Sequence, residues 1–565
     1  MALLQQGSPT AINQSFPYPE GAVGLRPLRR VSPAAAGVSS HGKVCVVVCR
    51  KERRLMTYHE ERTVFRVGPV HRLWLRLELL ATRITSAELN PLYYLGAIGI
   101  FFLLVILVTG IYLFFFYNIT AEGAYPSVQW LTEEQWWLGG IMRSAHRYAS
   151  QGLVVVMVLH VARCLVTGRY RHWRWVAWVT GVGAAWIVVI GGIFGYWLVW
   201  DETAQLAASL ASAMIEAVPI FGLPLRLNFA RPENLTDQLF YIVFFIHFGT
   251  IVFLFILLWV HLSRITKAVI NPPKAMAYAL VAVLLLLSLV KPAVSEGPAR
   301  LDVLPGEVYF DWFFFFVFPA LKYVSEHTLW IGIIAATLAA GAVPWMGRGR
   351  RRRAVEVSYE DCTGCELCME DCPYVAIKIR PRTDNRPYDL EAVVTPQRCA
   401  SCGICVGSCD YRAINLPDLT EFDVKDRIRG LCGELGGAEG SVLVFHCARS
   451  ASLDGIADGS GRIEGRPAVR VVVLPCIGML QPSMITIPFE AGVDGVLIVG
   501  CRPMDCHFRR GNEWVAARLA GTRPPVVRRT VDRTRLRLLW LSAVETGEFL
   551  AELDRFGAAM KERTR

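Results

Sequence analysis

The sequence predicts a membrane all-α bundle of six helices, followed by a small α+β domain and an α/β parallel-sheet domain. Three observations carry this prediction. Apolar runs of bilayer-spanning length recur between residues 91 and 346. Behind them, eight cysteines stand in two runs of equal spacing, from Cys362 to Cys409. Three continuous apolar segments that each end in cysteine then follow, at 442–447, 469–476 and 495–501, as buried parallel strands read.

Residues 1–69 are rich in Pro, Ser, Ala and Gly without sustained period and read as a mostly disordered leader, within which Cys45 and Cys49 read as stray thiols. Residues 70–84 alternate apolar residues and Arg at helical spacing, as an interfacial amphipathic helix does. The membrane domain, 70–346, then holds apolar spans at about 91–117, 139–166, 175–200, 239–262, 275–294 and 328–346. The formal charge of +11 could suit nucleic acid, but the arginines cluster beside apolar segments, where anionic lipid is the simpler partner. Nucleic acid is therefore not expected.

The second span carries His146 and His160, and the fourth carries His247 and His261. Fourteen helical residues rotate about 1400°, so each pair shares one face, with the two imidazoles about 21 Å apart along the axis. One such histidine could merely hydrogen-bond a neighbouring helix. Two equally spaced pairs instead suit a clamp on two flat ligands, and imidazole is a standard axial ligand of haem iron. Gly96 and Gly110 on the first span, and Gly181 and Gly195 on the third, repeat the same interval, and glycine admits a bulky flat group close to a helix backbone. Arg143 and Arg163 stand three residues outside the histidines, where they could meet haem propionates or snorkel to headgroups.

The connection 118–138 has no Lys or Arg, whereas the next carries Arg163, Arg169, Arg171 and Arg174. The fourth carries Arg264 and Lys267, and the last span runs into the basic linker 347–354. The positive-inside rule puts both termini, and everything after the linker, in the cytoplasm.

On the two His pairs, the four glycines, Arg143 and Arg163, GYWLVW at 195–200 and AVPIFG at 217–222, the membrane domain resembles cytochrome b of the quinol-oxidising bc complexes. The resemblance implies two b haems, quinone sites near each face and a homodimer. Where that family carries Pro-Glu-Trp-Tyr at its outer quinol site, this chain has Phe310, Asp311, Trp312 and Phe313. Asp311 keeps the carboxylate, and reads either as a quinol-site acid or as a solvated loop residue.

Residues 355–420 read as a ferredoxin-like domain. Cys362, Cys365, Cys368 and Cys372 form C-x2-C-x2-C-x3-C before Pro373, and Cys399, Cys402, Cys405 and Cys409 repeat it before Asp410. Thiolate sets also bind zinc, but this duplicated run is the mark of two [4Fe–4S] clusters in which the fourth cysteine serves the other cluster. That groups Cys362, Cys365, Cys368 and Cys409 against Cys399, Cys402, Cys405 and Cys372. In the last domain, 438–560, strand ends bring Cys447, Cys476 and Cys501 to one sheet edge, and with Cys506 they suffice for a [2Fe–2S] cluster. Cys432 has no assignment.

This tail, with GVDGVLIVGCRPMDCHFRRGN at 492–512, is similar to the delta subunit of methyl-viologen-reducing hydrogenase. The resemblance implies a relay to hydrogenase-, heterodisulfide-reductase- or flavoprotein-type subunits. Where that family has a second cysteine in its first motif, this chain has Ser450. No G-x-G-x-x-G opens a helix after a strand, so the primary donor or acceptor is expected to be another protein. The parts form a wire between a cytoplasmic redox partner and membrane quinone. Alternative readings are quinol oxidation toward a Rieske-type partner, and a pure relay without a quinone site.

Overall fold

The computed structural model describes residues 68–171, 174–218, 235–263, 268–303, 309–346 and 353–564. The leader with Cys45 and Cys49, Arg264, Lys267, the basic run 347–352 and residues 219–222 of AVPIFG lie outside the described residues.

Helix α1 (Pro69–Thr85) opens with proline in its first turn, where the missing N–H costs nothing. Its Leu75, Glu78 and Thr82 are buried, while Leu73, Leu77 and Leu80 are exposed, as an interfacial helix requires. The bundle follows with α2 (Leu95–Phe116), α3 (Ala124–Glu133), α4 (Ile141–Val166), α5 (Trp175–Trp197), α6 (Glu202–Glu216), α7 (Asp237–Ser263), α8 (Lys274–Val290) and α9 (Glu326–Ala342). Among the described residues, five helical stretches are long and apolar enough to cross a membrane: Leu95–Phe116, Trp136–Val166, Trp175–Trp197, Asp237–Ser263 and Glu326–Trp345. The fifth expected span, α8, has only 17 residues, about 26 Å. Pro273 caps its start and Pro292 follows its end. Helix α2 packs chiefly on α4, and α5 on α7, giving two pairs that each hold one histidine-bearing helix.

The soluble part begins with two small antiparallel sheets. Strand β1 (Glu356–Val357) pairs with β4 (Ile414–Asn415), and β2 (Ile377–Pro381) pairs with β3 (Leu390–Val394). The one-turn helices α10 (Leu367–Asp371) and α11 (Ile404–Ser408) each fall within one cysteine run. Helix α12 (Glu421–Leu435), left between domains by the sequence, packs on the sheet that follows it. Its Cys432 lies in that core, where burial pushes the thiol up to about 11.

That sheet has five strands: β5 (Val442–Cys447), β6 (Arg462–Ile463), β7 (Arg466–Leu474), β8 (Gly495–Gly500) and β9 (Leu536–Trp540), in the order β6-β7-β5-β8-β9. Strand β5 lies parallel to β7 and β8, and β8 parallel to β9, while short β6 runs antiparallel at one edge. Every residue of β5 and β8 is buried, which explains their unbroken apolar runs. Helices α13 (Pro482–Glu490), α14 (Gly511–Ala520) and α15 (Thr546–Thr564) complete the domain. The fold is therefore the expected helical membrane bundle, small strand-containing domain and parallel-sheet domain.

Candidate redox centres

The imidazoles of His146 on α4 and His247 on α7 face each other with ring centroids 6.4 Å apart. Two metal–nitrogen bonds of about 2 Å, plus the radius of each ring, sum to about 6 Å, so the pair fits one metal between them. The other ring nitrogens are already held. Thr109 Oγ1 lies 3.0 Å from His146 Nδ1, and His247 Nδ1 lies 2.9 Å from the Gly191 carbonyl. Such outer partners orient a ligating imidazole and leave Nε2 for the iron.

At the other level, Thr180 Oγ1 lies 3.1 Å from His261 Nδ1. His160 differs: Cys164, one turn on, places its sulfur 3.8 Å from Nε2. The four glycines each meet one of the four rings. A Cβ on Gly110 or Gly195 would stand 3.1 or 2.9 Å from Cε1 of His146 or His247, and on Gly96 or Gly181 3.5 or 3.4 Å from Cε1 of His160 or His261. Thr109-Gly110 and Thr180-Gly181 are thus a repeated dipeptide in which one residue anchors a ring and the next makes room for it. The sequence reading missed both threonines, although the repeated Thr-Gly pair was a signal.

The two arginines have protein partners. Arg143 donates to Thr132 Oγ1, and to Ser295 Oγ at 2.8 Å. Arg163 gives Nε to Glu78 at 2.7 Å and Nη2 to Asp505 at 2.7 Å, so its guanidinium is satisfied by carboxylates where a propionate was expected. Two charges this buried are stable only when paired, which is why Arg163 takes them. Nearby Arg169 retains a buried Nε with no hydrogen-bond partner, a donor of the kind a propionate would satisfy. The haem-type fit at this level thus rests on His160, His261, the two glycines and Arg169.

Asp311 is fully buried, which removes the solvated-loop reading. Gln151 Nε2 donates to its Oδ2 at 2.8 Å, the Tyr196 hydroxyl donates to the same oxygen, and the Phe313 N–H reaches Oδ1 at 2.8 Å. Gln151 lies just beyond His146 on α4, and Tyr196 follows Gly195, so this carboxylate stands at the His146–His247 level. Arg147 lies over the Tyr196 and Tyr309 rings, 5.6 and 5.2 Å from their centroids. Gln151 and Arg147 belong to the same cluster and had no signal that the sequence reading used, while Tyr196 stood within GYWLVW without a role of its own.

In the soluble part, one cavity is lined by Cys362, Cys365, Cys368 and Cys409, three thiols from the first run and one from the second. Burial, then the neighbouring Cys409, Cys365 and Cys362, push the Cys368 thiol up to about 12. Cys405 is raised in the same way by burial and then by Cys402, Cys372 and Cys399. The eight thiols therefore gather in two sets that exchange their fourth members. Thiols so crowded and desolvated are held as thiolates only by a cationic centre, so both sets suit metal clusters.

Cys447, Cys476, Cys501 and Cys506 also converge. Cys447 touches Cys476 and Cys501, with 3.7 Å between the Cys447 and Cys501 sulfurs, and Cys506 touches the same two. Gly511 makes the site possible, since a Cβ there would collide with the Cys476 sulfur. Ser450 turns its hydroxyl to His446, 3.3 Å away, and to the Cys447 carbonyl at 2.9 Å. This site adjoins the second set: Cys506 and Cys402 lie within electrostatic reach of each other, and Tyr374 within reach of both. Buried Arg518 locks the two domains together. It donates to Asp371 at 2.7 Å, to Ser408 at 2.8 Å and to the Gly478 carbonyl at 2.9 Å.

This fold, with the ligand-type side chains it gathers, defines a membrane electron-transfer protein. Residues 80–269 match the family model of cytochrome b/b6/petB, residues 361–413 that of the 4Fe-4S dicluster domain, and residues 442–562 that of the methyl-viologen-reducing hydrogenase delta subunit. A chain of a solved hyperthermophilic respiratory complex III is similar at 14% identity and a TM-score of 0.38, over 48% of this chain and 82% of that chain. The chain thus joins a cytochrome b membrane segment, a dicluster domain and a hydrogenase-delta-like domain, with haem b and 4Fe-4S clusters as the implied cofactors.

Proposed function

We propose that the chain is the membrane subunit of a quinone oxidoreductase, exchanging electrons between a cytoplasmic redox partner and the quinone pool. When bound, two b haems, two [4Fe–4S] clusters and one [2Fe–2S] cluster would supply one-electron carriers. His146 with His247, and His160 with His261, are the proposed haem ligands. Cys362, Cys365, Cys368 and Cys409 would hold one [4Fe–4S] cluster, and Cys399, Cys402, Cys405 and Cys372 the other. Cys447, Cys476, Cys501 and Cys506 would hold the [2Fe–2S] cluster. The observation that carries the reading is the gathering of twelve cysteines into three sets, the last of which is tied to the membrane helices through Asp505. The arginine-rich connections support a cytoplasmic location for the domains after the bundle, where a hydrogenase-, heterodisulfide-reductase- or flavoprotein-type subunit would dock.

Asp311 supports a quinone site at the far level. Its carboxyl group accepts from Tyr196, Gln151 and the Phe313 N–H, and a quinol hydroxyl at this cluster would find both an acceptor and a donor. The same cluster favours a second reading, quinol oxidation with a Rieske-type partner as one electron acceptor. A redox titration in membranes separates the directions, with haems followed optically and clusters by EPR. Clusters well below the haems favour flow toward quinone, and clusters above the far haem favour quinol as donor. Quinone-site inhibitors without effect on haem redox kinetics would remove the quinone site.

A further inference from the structure

Arg163 stands three residues beyond His160 on α4, and Asp505 directly precedes Cys506. They meet at 2.7 Å, and Arg169 donates to the same Asp505 oxygen at 2.6 Å. The side chains of Arg163 and Asp505 are 7% and 16% exposed, so these charge-assisted bonds are desolvated and strong. Glu78 of α1 completes the group on Arg163 Nε. On the other side of Cys506, Arg174 donates to the His507 carbonyl at 3.0 Å and to Tyr374 at 3.4 Å. The Cys501–Cys506 loop is thus gripped by the membrane domain on both flanks of Cys506. Met504 within it and Arg509 just beyond it hold φ of 65° and 79°, conformations that persist only where surroundings fix them.

Chain order and spatial order therefore differ. The two four-cysteine runs follow the last membrane helix directly, yet the loop from the far end of the chain occupies the place beside the His160 helix.

We propose that Asp505 is a positioning residue that docks the Cys501–Cys506 loop on the His160 end of α4, making the C-terminal centre the immediate electron neighbour of the nearer haem. This rests on the ligand assignments proposed above. The step it would serve is the exchange of one electron between an iron–sulfur centre held by Cys447, Cys476, Cys501 and Cys506 and a haem held by His160 and His261, one being oxidised as the other is reduced, with no bond made or broken and no proton transferred.

The test uses the full chain in lipid nanodiscs, with Asp505→Asn, Asp505→Glu and Arg174→Gln, and with Cys476→Ser as the uncoupled baseline. The readouts are low-temperature EPR relaxation of the haem signal with clusters oxidised or reduced, and the rate of haem reduction after mixing with dithionite. The wild type is expected to show relaxation enhancement that Cys476→Ser lacks. Asp505→Asn should lose it and slow haem reduction at least about tenfold, as small misplacements do where geometry sets a rate. Its iron and haem contents should match the wild type, and Asp505→Glu should recover most of both readouts. Unchanged coupling in Asp505→Asn overturns the proposal, as does equal failure of Asp505→Glu. Loss of iron from Asp505→Asn also overturns it, because Asp505 then acts in assembly. If Asp505→Asn does not fold, Arg174→Gln, which removes the grip on the other flank of Cys506, decides from the membrane side by the same readouts. Failure of the underlying reading looks different: the wild type itself would lack haem or the C-terminal iron–sulfur signal.

Discussion

Gly195 presents bare backbone to the ring of His247, and a Cβ there would stand 2.9 Å from Cε1. Real side chains do not approach so closely, so the imidazole must turn or the helices must part. Overpacking of this kind costs about 1–3 kcal/mol. Gly195→Ala is expected to lose the haem at the His146–His247 level and keep the other, halving haem b in a pyridine haemochrome assay. Gly249, on the same helix as His247, has open space within 4 Å of where a methyl group would stand and is the control. Gly249→Ala should retain both haems, and equal loss in the two variants would count against a ring contact as the cause.

Asp311 supports a sharper prediction about chemistry. Asp311→Asn keeps the shape but replaces a carboxyl group, which can take up and release a proton, with an amide that cannot. Positioned acid–base groups contribute about 10²–10⁴-fold, so inhibitor-sensitive reduction of the haems by quinol should fall by about 100-fold or more. Haem spectra should be unchanged, since Asp311 touches neither ring. A wild-type rate in Asp311→Asn would move the quinone site elsewhere.

Arg518 bears on stability. Its side chain is 2% exposed and that of Asp371 0%, so Arg518→Ala removes the buried partner and leaves Asp371 with Arg523 alone, at a cost below the about 3–5 kcal/mol of a wholly uncompensated buried charge. Arg518→Ala is expected to lower the denaturant midpoint at which the iron–sulfur absorbance is lost. Arg523 also pairs with Asp371 and sets a comparison, because it is 20% exposed and its removal leaves Arg518 in place. Arg523→Ala should shift the midpoint less, and the reverse order would argue against burial as the reason.

Features set by local spacing were legible in the sequence. Fourteen-residue intervals on apolar helices put His146, His160, His247 and His261 at two levels, and three-residue intervals put cysteines around two centres. Continuous apolar strands gave the parallel sheet, because residues buried on both faces leave no polar alternation. What depends on tertiary contact was not legible. The Arg163–Asp505 pair joins positions 342 apart, and nothing in either neighbourhood distinguishes a docking arginine from one that meets a propionate. Asp311 read equally as a quinol-site acid or a solvated loop residue, and only Gln151 and Tyr196, 160 and 115 positions away, remove the second reading by closing over it. Helix α8 kept its place but not its full length, because prolines at both ends stop the backbone ladder before the apolar run is exhausted.

Thr109 and Thr180 allow the two haem levels to be perturbed separately. Each hydroxyl lies close to one histidine Nδ1, at 3.0 Å for His146 and 3.1 Å for His261, and each also donates to a backbone carbonyl one turn back on its own helix. Replacing either by valine keeps the volume and removes the polar partner that fixes ring orientation. Loss of such outer partners typically costs about 10–100-fold in metal affinity. Thr109→Val should therefore weaken haem retention, and shift the midpoint potential, only at the His146–His247 level, and Thr180→Val only at the other. A redox titration that resolves two haem components checks this directly. The double variant should show both changes independently, since the sites lie about 21 Å apart along the helices and share no partner. If either single variant moved both components, the threonines would be acting through the packing of the bundle and not through the rings they touch.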